Sequence, residues 1–127
     1  MNTKQVIDYW QKGADDAFDT AKKLMAGKKY HHALFFCHLT LEKILKAVIV
    51  KTTHQPALPI HNLNHLAKYA KLSLTPQQKI QLKEINSFNL EARYDDYKLE
   101  FYHKATPQFA QKWFAVTKQL LTWLKEK

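Results

Sequence analysis

The chain has two glycines, four prolines, one cysteine and one arginine among its 127 residues. Scarce glycine disfavours all-β folds and phosphate-cradling loops, both of which need residues able to take positive φ. The single cysteine, Cys37, excludes an internal disulfide framework and a cysteine-only zinc site, and it fits a reducing compartment. No apolar run reaches the ~18 residues that would span a bilayer, and no signal peptide is recognised at the start, so a cytoplasmic location is expected. No P-loop and no G-x-S-x-G elbow is present.

Apolar material is ample. Hydrophobic residues make up 46% and charged residues 24% of the chain, enough to build one core and too much for a disordered segment. The length fits a single domain spanning 1–127. The net charge is +9, with a pI near 9.6, which points to anionic partners such as nucleic acid, nucleotides or an acidic protein. Of the 20 basic residues only Arg93 is an arginine. The charge is therefore mostly of the diffuse, salt-sensitive kind rather than the bidentate kind that reads phosphates and bases.

Helical periodicity dominates. Between Thr3 and Ala26, the residues Trp10, Ala14, Ala17, Phe18, Ala21, Leu24 and Met25 fall on one face, with Gly27 expected just past the helix end. From Lys29 to Thr53, the residues Ala33, Phe36, Cys37, Thr40, Leu41, Ile44, Leu45 and Val48 form a continuous stripe, with Glu42 and Lys46 expected outside as an i,i+4 pair. Pro56 and Pro59 keep a linker out of helix. A short helix is predicted from His61 to Lys71. Thr75-Pro76 with Gln78 starts a helix to about Glu91 that buries Leu82, Ile85 and Phe88. The rhythm breaks between Ala92 and Ala105. Thr106-Pro107 opens a last helix with Phe109, Trp113, Val116, Leu120 and Leu124 inward. The predicted fold is all-α, an antiparallel up-and-down four-helix bundle with one additional short helix.

Most chemical candidates have a plain structural alternative. Cys37 lies in an apolar stripe, where burial hides a thiol. His61 and His65 stand one turn apart, as two metal ligands can, but no third ligand has a matching spacing, so His61 is read as a helix cap and His65 as exposed. His38, one turn before Glu42, is read as a buried histidine with a side-chain partner. Asp8, Asp15, Asp16 and Asp19 read as a solvated acidic face. No metal or cofactor is expected.

The segment Arg93, Tyr94, Asp95, Asp96 and Tyr97, with Tyr102 and His103 behind it, is different. It joins the only guanidinium to carboxylates, tyrosines and an imidazole between two helices. Such a group can hold a phosphate, stack a base and move a proton. The alternative is that Arg93 pairs with Asp95 or Asp96 to pin the loop.

Three stretches carry a family resemblance. YHHALFFCHLTLEKILKAVIVK resembles the "small residue, aromatic, x-x-E-K-x-L-K-A" helix of HEPN domains (higher eukaryotes and prokaryotes nucleotide-binding). Pro59-Ile-His61-Asn-Leu63-x-x-Leu66 is similar to that family's "H-x-L-x-x-L". Arg93-Tyr94-x-Asp96 is similar to its R-Y-x-D. The resemblance implies an all-α bundle that dimerises and a minimal nucleotidyltransferase partner, in some members as a toxin–antitoxin pair. It implies nucleotide or partner binding around Arg93, Tyr94, Asp95, Asp96, Tyr97 and His103. In ribonuclease members an arginine and a histidine are separated by a short spacer, whereas nine residues separate Arg93 from His103 here. The resemblance therefore points first to a binding module and second to a metal-independent ribonuclease using Arg93 and His103, with Tyr97 or Tyr102 as a site the partner could modify.

Overall fold

A computed structural model describes residues 2–93 and 99–127, apart from the side chains of residues 92 and 93. Six helices follow in order: α1 (Thr3–Ala26), α2 (Tyr30–Thr53), α3 (Leu63–Tyr69), α4 (Pro76–Arg93), α5 (Glu100–Lys104) and α6 (Pro107–Lys125). No strand occurs among the described residues. The all-α bundle expected from the sequence is present, with α5 as a second short helix inside the stretch whose rhythm breaks.

Helix α2 is the spine. It packs against α1, α3, α4, α5 and α6. Its core residues include Leu34, Cys37, Leu41, Ile44, Leu45 and Val48, all essentially without solvent exposure. On α1, Ala14, Ala17 and Ala21 are buried, and side chains this small let α1 lie closely along α2. Phe88 of α4 sits at the aromatic centre, with Phe101, Phe109 and Trp113 rings at 5.8, 6.0 and 6.1 Å. The T-shaped and tilted ring geometries suit the positive ring edges and negative faces. Phe101, buried on α5, explains why so short a helix forms, since it docks onto this centre.

The caps decide the boundaries. Asn2 and Gln5 close a reciprocal capping box on α1. Thr75 and Gln78 do the same before α4, as their spacing predicts. Thr106 caps α6 through the Phe109 amide. Two expectations shift by a residue. Asn62, not His61, caps α3, its side chain accepting from the His65 amide at 3.1 Å. Gly27 takes φ −82°, and Lys28 is the residue in the left-handed region, at φ 60°.

The bonds after α1 are those of a Schellman motif: Lys28 N–H to the Met25 carbonyl and Lys29 N–H to the Leu24 carbonyl. The same pair recurs after α3, with Lys71 at φ 59° and bonds from Lys71 to Lys68 and from Leu72 to Ala67. A lysine at that position carries a Cβ cost that glycine lacks. Lys28→Gly is therefore expected to stabilise by about 1 kcal/mol, raising the thermal midpoint by roughly 3 °C. Gly27→Ala should also be tolerated or stabilising, because an added Cβ meets only ordinary contacts. Thermal melts of both variants check this, and a destabilised Lys28→Gly contradicts it.

Candidate functional site

Two polar assemblies depend on α2. The first is a buried cluster at its middle. Glu42 and Lys46, expected on the outside, are each only 6% exposed. Their pair is present, Lys46 Nζ to Glu42 Oε2 at 3.1 Å, but it is covered. The linker after α2 folds back over this face, and Trp10 of α1 lies 5.2 Å from the Lys46 ammonium in a cation–π contact. The helical pattern predicted the pair; its burial involves segments from elsewhere in the chain, the returning linker through His61 and α1 through Trp10.

Two histidines complete the cluster. His61 Nδ1 donates to Glu42 Oε1 at 3.1 Å. His38, fully buried, donates from Nε2 to the main-chain oxygen of His61 at 2.9 Å. Its other ring nitrogen lies 3.8 Å from Glu42 Oε1. Buried His38 thus meets a main-chain carbonyl at hydrogen-bond distance and the Glu42 carboxylate, the side-chain partner expected from sequence, at ion-pair distance. His61 does not cap α3; it ties the linker to α2. His65 is exposed, as expected. Among the described residues no group of three or more His, Cys, Asp or Glu could hold a metal ion. The chemistry of this cluster is fixation: one carboxylate holds a cation and an imidazole from different parts of the chain.

The acidic run on α1 is a solvated face. Asp8 pairs with Lys12 at 2.9 Å and Asp19 with Lys23 at 3.0 Å, both exposed. Asp15 reaches Lys125 of α6. Exposed pairs of this kind contribute little to stability.

The second assembly lies where α5 meets the start of α2 and the end of α4. His31 of α2 packs edge-on against Tyr102 of α5 with ring centroids 5.1 Å apart. His32 lies 3.9 Å from His31, and His103 lies 5.4 Å from Tyr102. Tyr102 is 52% exposed, and His32 and His103 are exposed, so the rings face solvent. Lys104 anchors α5 to α4 through Glu84 at 3.2 Å and Glu91 at 3.6 Å. Arg93 is the last residue of α4, so the chain's sole guanidinium belongs to the helix that α5 docks onto. Tyr94, Asp95, Asp96 and Tyr97 lie outside the described residues, as does the Arg93 side chain.

Of the residues picked from sequence, His103 and Tyr102 are therefore brought together with two that were not picked for this site, His31 and His32. The signal for those two was faint. A His-His pair at a helix start has no local reason to meet residues 71 positions later. It does so because Phe101 buries itself in the core and turns Tyr102 and His103 outward. Imidazoles donate N–H groups and stack as aromatics, so a group of three beside a tyrosine can offer both donors and ring faces to a phosphorylated, aromatic ligand.

The chain belongs to the HEPN domain family, whose model matches residues 7–127. No curated protein and no solved structure matches it significantly. Among the described residues no helix is long and apolar enough to cross a membrane.

Cys37 lies outside both assemblies. Burial pushes its thiol up to about 12, outweighing a hydrogen bond with Thr117. A thiol that holds its proton this strongly is no nucleophile. In the native protein it should not react with a disulfide reagent at pH 8, whereas denatured protein should release one equivalent. The folded state keeps this proton above the pH at which the unfolded chain loses it, near 8.5. The stability so conferred is complete below that pH and is lost as pH rises toward 12. Denaturant midpoints at pH 8 and 10.5 should therefore fall further for the wild type than for Cys37→Ala; equal falls contradict the assignment.

Proposed function

We propose that this HEPN domain is a binding module that takes a phosphorylated nucleoside, as free nucleotide or within RNA, at the corner formed by the start of α2, the end of α4 and α5. The observation that supports it most is the ring cluster of His31 and His32 on α2 with Tyr102 and His103 on α5, the helix anchored to the one that ends in Arg93. A guanidinium supplies the bidentate phosphate contact that lysines do not. Exposed rings supply stacking for a base. Tyr94, Asp95, Asp96 and Tyr97 are proposed as further binding residues.

The family resemblance extends the proposal. The module acts as a homodimer in the cytoplasm, beside a minimal nucleotidyltransferase, in the manner of a toxin–antitoxin pair. Either nucleotide or the partner's own acidic surface would be received at this corner. The net charge of +9 favours both.

Titration of ATP and other nucleotides against wild type, Arg93→Ala and Tyr102→Ala tests the reading. Loss of a charged hydrogen-bond partner should weaken binding about tenfold or more, and loss of the ring by a similar factor. Unchanged affinity in Arg93→Ala, for nucleotide and for a co-encoded nucleotidyltransferase alike, overturns it.

A second reading rests on the number of imidazoles. Metal-independent RNA cleavage needs one group to take the 2′-hydroxyl proton and another to protonate the leaving oxygen. His31, His32 and His103 provide candidates, with Arg93 on the phosphate. Under the binding reading, total RNA stays intact on induced expression and in vitro with chelator. Cleavage that persists with chelator and disappears in both Arg93→Ala and His103→Ala would transfer the site to the ribonuclease reading.

A further inference from the structure

The charge of this chain is unevenly placed. Between Glu42 and Glu84 no aspartate or glutamate occurs, while Lys43, Lys46, Lys51, Lys68, Lys71, Lys79 and Lys83 do. Folding turns that stretch into a surface. Helix α3 and the turn that follows it pack on the start of α4, where the Asn64 side chain donates to the Lys79 carbonyl at 3.3 Å.

Two adjoining hollows open there. One, of about 520 Å³, is lined in part by Asn64, Lys68 and Lys79. The other, of about 430 Å³, is lined by His65, Lys68, Tyr69 and Lys71. Lys68 belongs to both. The three lysines are exposed, and none has an ion-pair partner among the described residues. Tyr69 is 53% exposed, so its ring is open to a ligand.

We infer that this α3–α4 face is a docking surface for single-stranded nucleic acid, separate from the corner at α5. Lys68, Lys71 and Lys79 would meet successive phosphates, and Tyr69 would stack a base. Lysines without ion-pair partners attract any polyanion, and a single strand is the one that meets them with phosphates while laying base faces on the ring; an acidic protein is the competing occupant, which displacement by polyglutamate reveals. A single strand presents base faces and backbone charges together. A duplex keeps its bases stacked inside and cannot use Tyr69.

The test is fluorescence anisotropy of a labelled 12-nucleotide RNA over a range of salt concentrations. Compared are wild type, Lys68→Gln/Lys71→Gln/Lys79→Gln, Tyr69→Ala, and a control, Lys22→Gln/Lys112→Gln/Lys118→Gln, which removes the same charge from α1 and α6. Every substituted side chain is exposed, and helical circular dichroism verifies folding. The α3–α4 triple should flatten the slope of log affinity against log salt by about 2, the control by much less. Tyr69→Ala should weaken binding about tenfold, and a duplex of the same sequence should be insensitive to it. Arg93→Ala should leave these dependences in place, so that failure at the α5 corner and failure here remain distinct. Equal effects of the two triples, no effect of Tyr69→Ala, displacement of the RNA by polyglutamate at matched charge, or absence of RNA binding each overturns the proposal. So does binding lost in Arg93→Ala and untouched by the α3–α4 triple.

Discussion

A carboxylate removed from water must be met by a cation or by N–H donors, or its burial costs several kcal/mol. Glu42 is met by both. Lys46 comes from its own helix, one turn on. His61 comes from the far end of a proline-containing linker. Because the donor atoms belong to separate segments, the bond fixes where the linker returns, and with it where α3 begins. His38 reinforces the same junction by holding the His61 carbonyl. Trp10 closes the cluster from α1 over the Lys46 ammonium, so three segments converge on one ion pair. Replacing such a pair by apolar side chains need not destabilise a protein, but removing one member strands the other. The cluster therefore specifies geometry more than it adds stability.

The geometry so fixed has consequences at both ends of the molecule. Helix α3 is too short to be stable alone. It holds its place through Leu63, Leu66 and Ala67, all buried, through the Asn86 side chain, which accepts from the Leu63 amide at 3.0 Å, and through the Glu42 junction. Its outer face carries Lys68 and Tyr69. At the other end, the first turn of α2 carries His31 and His32 to α5, which is anchored by Phe101 in the core and by Lys104 on the surface of α4. The two surfaces differ in character. One combines imidazoles and a tyrosine beside the helix that ends in Arg93. The other carries exposed lysines that have no ion-pair partner among the described residues.

The helices were legible because their signals are local. Capping pairs such as Thr75 with Gln78, the two Pro-led starts, and the apolar spacing of α2 and α6 all lie within a turn or two of the residues they govern. The core assignment of Cys37, Leu82, Ile85 and Phe88 followed from the same spacing. What was not legible required knowledge of a partner segment. Glu42 and Lys46 look like a surface pair until the linker covers them. Lys28 takes the left-handed position next to a glycine because the Schellman bonds count from Leu24, not from the glycine. Helix α5 leaves no periodic mark in the sequence because five residues cannot show a helical period. Its register comes from one buried phenylalanine. His31 and His32 were invisible as site residues for the same reason, since their neighbours are supplied by α5.

The claim that Glu42 fixes α3 is tested most directly by residue-resolved amide hydrogen exchange in wild type and Glu42→Gln. If the junction positions the short helix, the amides of Leu66, Ala67 and Ala70 lose protection by about tenfold or more, equivalent to about 1.4 kcal/mol of local opening. Those of Leu120 and Leu121 on α6 should change much less. Equal loss of protection across α3 and α6, or none in α3, would contradict the account.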